Sequence, residues 1–429
     1  MSVGRLARSA SLAVVSIPPD IGTIAGPPTW VDGAAGGGHD VDHLPYAVFS
    51  HGGDDPRVGV RVGDLVVDLA PLAASERDQH GELVRATSLA PLMRAGPRSW
   101  RSLRGWLVDL LTDPDRRPGV EPHLVPLAEV TTGLPFEVAD YVDFYASLDH
   151  ATNVGRIFRP DAQPLLPNWR HLPVGYHGRA GTIVVSGTPV VRPCGQRKAP
   201  DASGPTYGPS QRLDIEAELG FVVGAPSPAG SRVRTGAFVE HVFGVTLLND
   251  WSARDVQAWE YQPLGPFLGK SFATSISPWI TPLAALEAAR VPLPGQQPQV
   301  LEHLRVAEPA GYDIEIQVRW NGTEVARAPY AAMYWSPAQM LAHLTSNGSS
   351  LRTGDLFGSG TVSGPDRSQR GSFLELTWGG SEPVRLADGS LRTFLEDGDE
   401  VVLTATAPGR LGGRLALGEV RGRVEPARG

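Results

Sequence analysis

A mainly β or α+β fold is predicted by two features of the sequence. Short runs of β-forming residues alternate with turn residues, and Gly and Pro number 50 and 39 among the 429 residues. Apolar and polar residues also alternate strictly in several places, without the regular succession of strands and helices that a doubly wound parallel sheet requires. The composition therefore predicts a turn-rich globular protein in which helices are inserted between strands.

Three segments are predicted from changes along the chain. Residues 1–42 combine scattered Arg and Ser with Gly-rich stretches, and we favour a disordered extension over a transit peptide because no apolar segment precedes a cleavage site. Residues 43–135 begin with three β-like runs and include the helical spacing of residues 98–113, which predicts a mostly β domain with one or two helices. Residues 136–429 form the third segment, where polar side chains become dense within apolar sequence.

The third segment is predicted to consist mainly of strands. Residues 213–219 alternate strictly, and residues 242–248 are an apolar run typical of an inner strand. Asn321–Gly322 between two β-like runs predicts a hairpin, and Ser336–Pro337 predicts the start of a helix that extends through Leu344.

Composition and charge exclude several classes of protein. Hydrophobic residues make up 41% of the chain, too many for a disordered protein. A formal net charge of -8 without a basic stripe argues against nucleic acid as a partner. No apolar run approaches the roughly 18 residues of a membrane span. Cys194 is the single cysteine, so an internal disulfide is impossible and a reducing, cytoplasmic location is predicted.

Two carboxylates on one strand are the first candidate site. Glu216 and Glu218 lie two residues apart, about 6.5 Å at Cα, and share a strand face with Asp214. Both side chains can therefore reach one cation. The alternative, an ordinary solvated strand face, stays open from this stretch alone.

A polar stripe after the apolar strand is the second candidate. Asp250 follows that strand, and Arg254, Gln257 and Tyr261 are spaced to share one face of the next helix. Such a stripe is typical of a site in a β-rich enzyme. A salt-bridged surface helix is the alternative.

Two further stretches combine residues that can carry chemistry. His150 lies among acids and aromatic residues, where a lone histidine is more often structural than catalytic, and the adjacent Asp149 is expected to raise its pKa. Residues 358–364 are Gly-rich but lack the Lys and the strand–loop–helix context of a phosphate loop. We expect these glycines to allow close packing or the approach of a ligand.

Long stretches of the sequence closely resemble the fumarylacetoacetase family. They follow the family's order within about residues 44–410, and they comprise residues 140–159, 167–179, 214–218, 249–272 and 371–376. The resemblance implies a small SH3-like N-terminal barrel over residues 43–135, a mixed β-roll catalytic domain over residues 136–429, and a homodimer.

The resemblance also implies roles for residues of this chain. It implies that one divalent cation, Mg²⁺ or Ca²⁺, is bound by Asp143, Glu216, Glu218 and Asp250, with Lys270 and Thr274 also associated with metal. It implies that His150 is the catalytic base and Glu375 its orienting partner, assisted by Arg254, Gln257 and Lys270. It implies substrate contacts from Tyr145, Arg159, Tyr176, Gln257, Tyr261 and Thr361.

The implied reaction is metal-dependent hydrolysis of the carbon–carbon bond of 4-fumarylacetoacetate, the last step of tyrosine and phenylalanine catabolism. Carboxylate ligands without thiol or imidazole select a hard cation, in agreement with this assignment. A dianionic diketo acid is the expected ligand. The alternatives are a related acylpyruvate or β-diketone hydrolase and a non-enzymatic binding module stabilised by a cation.

The distribution of basic residues singles out one lysine. Lys occurs only at Lys198 and Lys270, and the rest of the 38 basic residues are Arg. Lys198 lies in a Pro-rich stretch, whereas Lys270 lies within the resemblance. We therefore expect that a planar guanidinium cannot replace the compact ammonium of Lys270.

Overall fold

A computed structural model describes residues 29–199 and 201–428. Its N-terminal part contains an antiparallel sheet of order β4-β3-β2-β1-β5. The strands are β1 Tyr46–His51, β2 Arg57–Val62, β3 Leu65–Asp68, β4 Leu124–Pro126 and β5 Val130–Thr132. The helices are α1 Leu69–Ser75, α2 Gly81–Val84, α3 Ala90–Arg94, α4 Gly96–Thr112 and α5 Arg117–Val120.

The prediction of one or two helices in this part is wrong. Five helices are present, and α4 is the long one that the spacing of residues 98–113 predicted. Pro occupies the first turn of α3, α4 and α5, where its missing N–H is not needed. These three prolines therefore lie at the beginnings of helices.

Residues 29–42, which were predicted to belong to a disordered extension, pack against α4. The indole Nε1 of Trp30 donates to the carbonyl of Leu110 at 2.8 Å, and the side chains of Val31 and Val41 are buried. These few apolar residues have no regular period, so the sequence pattern did not reveal that they complete a core. The predicted disorder of residues 1–28 lies outside the described residues.

The rest of the chain is a β-rich assembly with short helices. Its strands are β6 Asp140–Phe144, β7 Gly175–His177, β8 Ile183–Val185, β9 Val190–Val191, β10 Cys194–Arg197, β11 Thr206–Pro209, β12 Leu213–Asp214, β13 Ala217–Val223, β14 Val242–Asp250, β15 Ser252–Ala253, β16 Thr274–Ile276, β17 Thr281–Pro282, β18 Arg290–Val291, β19 Gly311–Tyr312, β20 Glu315–Trp320, β21 Thr323–Pro329, β22 Asp355–Gly358, β23 Val384–Arg385, β24 Leu391–Arg392, β25 Glu400–Pro408 and β26 Arg414–Glu425. Its helices are α6 Leu148–Phe158, α7 Phe238–His241, α8 Arg254–Glu260, α9 Pro337–Leu344 and α10 Phe373–Leu376.

Two larger sheets organise this assembly. A mixed eight-stranded sheet has the order β7-β6-β22-β13-β14-β16-β8, with β17 also paired to β14. A second sheet has the order β21-β20-β25-β26-β9. The fully buried side chains of Trp251, Trp320 and Trp335 belong to the core of this part. The predicted mainly β or α+β class is confirmed.

Several local predictions are confirmed and one is wrong in detail. The hairpin turns at Asn321–Gly322, and the side chain of Ser336 accepts a hydrogen bond from the backbone of Gln339 at the start of α9. The predicted strand over residues 213–219 is instead two strands, β12 and β13. The chain leaves the ladder between them, where Glu216 bridges to Ser372.

The N-terminal part is joined to the larger sheet through backbone hydrogen bonds. Tyr46 donates to the carbonyl of Ile280 at 2.9 Å, and Ile280 donates back at 2.8 Å. Within residues 29–199 and 201–428, none of the helices combines the length and apolar composition that a bilayer-spanning helix needs.

Candidate active site

Four carboxylates converge at one end of the larger sheet. Asp143 lies on β6, Glu218 on β13 and Asp250 at the end of β14, while Glu216 immediately precedes β13. One oxygen from each lies within 4.8 Å of the others, and all four residues are buried. They come from remote stretches but neighbouring strands. Because Asp214, Glu216 and Glu218 are all buried, the alternative of a solvated strand face is wrong.

A glycine provides the room for this cluster, defined as Asp143, Glu216, Glu218 and Asp250. Strand β22 runs between β6 and β13, and its Gly358 is paired with Asp143. A Cβ atom at Gly358 would lie 2.5 Å from Oδ1 of Asp143 and 2.8 Å from Oε2 of Glu218. The expectation that these glycines allow close packing is confirmed here.

Two buried cations contact the cluster. The Nζ atom of Lys270 contacts the carboxylate of Glu216 and lies 2.6 Å from Oδ2 of Asp250. The Nη2 atom of Arg254 donates to Oε1 of Glu216 at 2.8 Å. Arg254 is itself buried, so the alternative of a salt-bridged surface helix is wrong.

The cations do not compensate the four carboxylates equally. Burial opposes ionisation of Glu216, but Lys270 and Arg254 outweigh it and hold its pKa well below the usual value. Burial, reinforced by the charge of Asp250, raises the pKa of Asp143 to about 7. Burial and then the charge of Asp143 raise the pKa of Glu218 well above its usual value. A further cation beside Asp143 and Glu218 would therefore relieve an unfavourable concentration of negative charge.

The donor set fits a hard divalent cation. Its ligand atoms are all oxygens, and Oε1 of Glu218 is a buried atom without a hydrogen-bond partner among the described residues. The hydroxyl of Thr274 lies 3.2 Å from Oδ1 of Asp250 and adds a neutral oxygen nearby. Burial works against the charge of Lys270, but Asp250 and Glu216 raise its pKa overall. A protonated amine has no lone pair, so Lys270 is a counter-charge here rather than the metal ligand that was predicted.

His150 and Glu375 form a buried pair beside the cluster. Nδ1 of His150 on α6 lies 2.6 Å from Oε2 of Glu375 on α10, and Nε2 lies 3.5 Å from Oε1 of Glu216. The imidazole thus connects Glu375 to the carboxylate cluster. The imidazole, its hydrogen-bonded carboxylate and the carboxylate cluster thus stand in the order that general-base catalysis would use.

Three partners of Glu375 were not identified from the sequence. Its carboxylate accepts hydrogen bonds from Nδ2 of Asn153 at 2.9 Å, from Oγ of Ser363 at 2.9 Å and from Oγ of Ser372 at 2.8 Å. Asn153 lies three residues after His150 on one helix, a spacing that places both on the same face. That spacing was one available signal, and Ser372 was another, because it lies three residues before Glu375 and caps α10. Only Ser363 comes from a separate loop.

The environment of His150 favours its protonated form. Burial acts to lower the pKa of His150, but the charge of Glu375 and hydrogen bonds to Glu216 and Glu375 raise it to about 9. The expected upward shift is present, but the cause predicted for it is wrong. Glu375 and Glu216, rather than Asp149, are the main groups responsible. Asp149 is partly buried, and burial and then Glu375 raise its own pKa.

Three of the predicted substrate-binding residues contact the carboxylate cluster or the residues beside it. The hydroxyl of Tyr176 donates to Oδ2 of Asp250 at 3.0 Å. The ring of Tyr145 stands edge-on to the imidazole of His150 at 5.3 Å between centroids. The Oε1 atom of Gln257 accepts from Nη1 of Arg254 at 3.1 Å.

The other predicted substrate residues have different surroundings. Tyr261 stacks on Phe158 at 6.5 Å between ring centroids, just beyond the end of α8. Arg159 donates to the carbonyl of Pro164 at 3.0 Å. Nε of Arg159 and Oγ1 of Thr361 are both buried and lack a hydrogen-bond partner among the described residues. The hydrogen-bonding capacity of these two atoms is therefore unused within the described part of the chain.

A cavity of about 140 Å³ reaches the cluster from the side of Asp250 and Lys270. Its lining combines aromatic, cationic and apolar residues and consists of Tyr141, Tyr176, His177, Gly178, Arg179, Asp250, Pro266, Phe267, Lys270 and Ser271. Arg179 and Phe267 at its rim are exposed and were not predicted as site residues. His150 is not among the residues of this lining.

The fold is β-rich, and it places a buried carboxylate cluster beside a histidine–glutamate pair. This combination is typical of enzymes that use a cation held by oxygen ligands together with a general base. Comparison with known proteins narrows this class. Residues 42–135 match the family model described as fumarylacetoacetase N-terminal, and residues 140–425 match fumarylacetoacetate hydrolase C-terminal. The chain belongs to the fumarylacetoacetate hydrolase family, and it is a hydrolase.

Individual relatives agree with this membership. The chain is 43% identical over 403 residues to fumarylacetoacetase of Homo sapiens, covering 90% of this chain and 96% of that protein. It is 40% identical over 420 residues to fumarylacetoacetase of Oryza sativa subsp. japonica, covering 93% and 97%. A solved fumarylacetoacetate hydrolase of Exiguobacterium antarcticum shares the fold, with a TM-score of 0.53 at 18% identity, over 90% of this chain and 100% of that chain.

Proposed function

We propose that this chain hydrolyses fumarylacetoacetate at a carbon–carbon bond and releases fumarate and acetoacetate. The observation that carries the proposal is the buried pair of His150 and Glu375, which meets the carboxylate cluster at Glu216. The curated relatives named fumarylacetoacetase match this chain over nearly their whole length. A proton-accepting pair beside an acidic centre is the equipment that such a hydrolysis needs.

The base step follows from the hydrogen bonds of His150. The raised pKa of His150 makes the neutral imidazole the minor form at neutral pH, and this minor form is the base. Because Glu375 accepts from Nδ1, the neutral imidazole carries its proton there and keeps a lone pair on Nε2. A water near Nε2 gives up a proton to that atom while its oxygen adds to the substrate's carbonyl carbon. The carbon–carbon bond then breaks, and its electron pair stays on the acetoacetate fragment, which receives the proton from the imidazolium. Glu375 stabilises that imidazolium.

We infer that the carboxylate cluster holds Mg²⁺ or Ca²⁺. Asp143, Glu216, Glu218 and Asp250 would supply the charged ligands, with Thr274 nearby. A bound divalent cation supplies electrophilic stabilisation of the negative charge that develops on diketone oxygens. The orphaned Oε1 of Glu218 and the raised pKa of Asp143, caused first by burial, support this inference.

The buried cations would act on the oxyanions of the reaction. Lys270 and Arg254 are held by carboxylates, which orients them before substrate arrives and limits the reorganisation needed later. Gln257, bonded to Arg254, can add a neutral donor. We propose that five residues contact the terminal carboxylates and the carbon chain of the substrate. They are Tyr145, Arg159, Tyr176, Tyr261 and Thr361.

The decisive experiment follows the loss of the diketone absorbance of fumarylacetoacetate and the appearance of fumarate. We expect turnover by the metal-replete protein, loss with a chelator and recovery on adding Mg²⁺ or Ca²⁺. We expect His150→Ala to abolish turnover without unfolding the protein. No turnover by the metal-replete wild type would reject the proposal. Faster cleavage of acylpyruvates than of fumarylacetoacetate would identify the protein as an acylpyruvate hydrolase instead.

Three finer features remain predictions from the resemblance. We infer a homodimer, an SH3-like barrel in the N-terminal part and a cytoplasmic location. Light scattering on the protein as it elutes from a size-exclusion column tests the homodimer. A monomer mass at micromolar concentration would contradict it. Phe267 is exposed beside the cavity, so a partner subunit that covered this side chain would also change access to the cavity.

A further inference from the structure

We infer that Asp214 is a positioning residue that fixes the His150–Glu375 pair relative to the carboxylate cluster. This inference rests on the proposed function and assigns a role to a group that the proposed mechanism does not use. Asp214 ends β12 and is fully buried, with no exposed surface. A buried carboxylate is costly unless each oxygen is hydrogen-bonded, so its partners indicate why it is there.

On one side Asp214 orients the cluster through Arg254. Its Oδ2 accepts from Nε of Arg254 at 2.8 Å, and Nη2 of the same guanidinium donates to Oε1 of Glu216 at 2.8 Å. The guanidinium is planar and rigid. Fixing Nε therefore fixes the direction in which Nη2 points, and through it the carboxylate of Glu216.

On the other side Asp214 holds the segment that carries Glu375. Its Oδ1 accepts from the backbone N–H of Phe373 at 2.7 Å, and its Oδ2 accepts from that of Leu374 at 3.1 Å. Glu375 is the next residue, and its carboxylate bonds to Nδ1 of His150. Two successive backbone groups on one carboxylate leave little freedom for the position of Glu375.

One side chain thus connects both halves of the site. The chain of contacts runs from His150 through Glu375 and its backbone to Asp214, and then through Arg254 to Glu216. His150 also approaches Glu216 directly, with Nε2 at 3.5 Å from Oε1. These contacts form a closed ring, which sets the distance between His150 and the carboxylate cluster. Asp214 lies in this ring opposite the contact between His150 and Glu216.

Asp214→Asn tests the inference because it keeps shape and removes acceptors. An amide offers one acceptor oxygen, so an NH₂ in the place of Oδ2 would face the donors of both Arg254 and Leu374. In that orientation both ends of the ring loosen together. A misplacement of about 1 Å in such geometry can cost about 10²-fold in rate. We expect kcat to fall about 100-fold, with KM changed less than threefold.

A matched control separates positioning from mere stability. Asp68 is a buried aspartate in the N-terminal sheet, and Nε of Arg57 lies 2.9 Å from its Oδ2. We expect Asp68→Asn to lower the melting temperature while kcat stays within twofold of the wild type. A double-mutant cycle gives a second readout. We expect Glu375→Gln to cost only about 10- to 100-fold once Asp214→Asn is present, against about 10³- to 10⁴-fold alone, because both changes release the same pair.

The outcomes of this experiment are distinct. No turnover by the wild type rejects the proposed function. Wild-type turnover, with Asp214→Asn resembling Asp68→Asn in kcat, overturns the inference alone, as does additivity with Glu375→Gln. If Asp214→Asn does not fold, Asp214→Glu is measured instead, with the same loss of kcat expected because the longer side chain displaces Arg254. Failure of both variants to fold would assign Asp214 to stability and overturn the inference.

Discussion

Nδ1 of His150 lies 2.6 Å from Oε2 of Glu375, although 225 positions separate the two residues. The contact joins two short helices at the side of the carboxylate cluster. It selects one imidazole tautomer, since a carboxylate can only accept, and it offsets the positive charge that the imidazole gains as a base.

Glu375→Gln should therefore reduce turnover far more than it reduces binding. The amide can present its NH₂ to Nδ1 and favour the wrong tautomer. We expect kcat to fall by about 10³- to 10⁴-fold with KM little changed. Asn153, Ser363 and Ser372 would still surround the amide, so the fold should survive, which circular dichroism checks. Wild-type kcat in this variant would contradict the assigned role.

Gly358→Ala should disrupt the carboxylate cluster although no charged residue is substituted. The added methyl would lie 2.5 Å from Asp143 and 2.8 Å from Glu218, so one carboxylate must move. We expect the affinity for Mg²⁺, measured by calorimetry, to fall at least tenfold and turnover to fall with it. Gly236→Ala is the control, because its Cβ would meet no atom within 4 Å. Equal ion affinity in both variants would show that the space at Gly358 is unimportant.

Much of the fold and half of the site follow from local patterns. The Asn321–Gly322 turn and the Ser336 cap were predictable because each depends on neighbours in sequence. The pairing of Glu216 with Glu218 was visible for the same reason. Three-dimensional proximity was not visible: the contact of Ser363 with Glu375 and the room at Gly358 depend on which segments become neighbours. The resemblance, rather than any periodicity, connected Asp143 and Glu375 to the site.

Removing the divalent cation should destabilise the protein. An ion that binds only the folded state adds about 2.7 kcal/mol to the free energy of unfolding at 100 times its Kd. We expect a chelator to lower the melting temperature of the wild type and to change that of Glu218→Gln much less. Without the ion, Glu218→Gln should melt no lower than the wild type, since burial and Asp143 already disfavour the charged form of Glu218 and the amide cannot ionise. An equal chelator effect on both proteins would exclude Glu218 as a ligand.

Lys270 and Lys198 should differ sharply in their tolerance of arginine. Lys270 is buried between Glu216 and Asp250, and a guanidinium is too wide for that position. Lys198 is exposed, with Nζ 5.9 Å from the ring centroid of Trp259, a contact that arginine can also make. We expect Lys270→Arg to lower kcat by about 10²- to 10³-fold, as loss of an oxyanion donor does. Lys198→Arg should leave kcat unchanged. Equal tolerance at both positions would reduce the scarcity of lysine to a compositional bias.

His43 should make stability depend on pH below the ordinary pKa of histidine. Its Nδ1 lies 3.0 Å from the carbonyl of Gly38 and its Nε2 lies 2.9 Å from Oγ1 of Thr281, which together suit a neutral ring. Burial, and then the neighbouring His39, hold the pKa of His43 well below its usual value. Burial and then Arg61 lower the pKa of His39 to about 3.

The sign of the effect follows from proton binding. Below pH 6.5 the unfolded chain protonates both histidines, whereas the folded protein keeps them neutral, so the unfolded state binds more protons. The stabilisation is complete above pH 6.5 and is lost as the pH falls from there toward the lowered pKa of each histidine, at up to about 1.4 kcal/mol per pH unit for each. His43→Gln keeps a donor and an acceptor but cannot titrate. Urea unfolding between pH 7 and 5 should therefore show a steeper loss of stability in the wild type than in His43→Gln, and parallel curves would contradict a neutral buried His43.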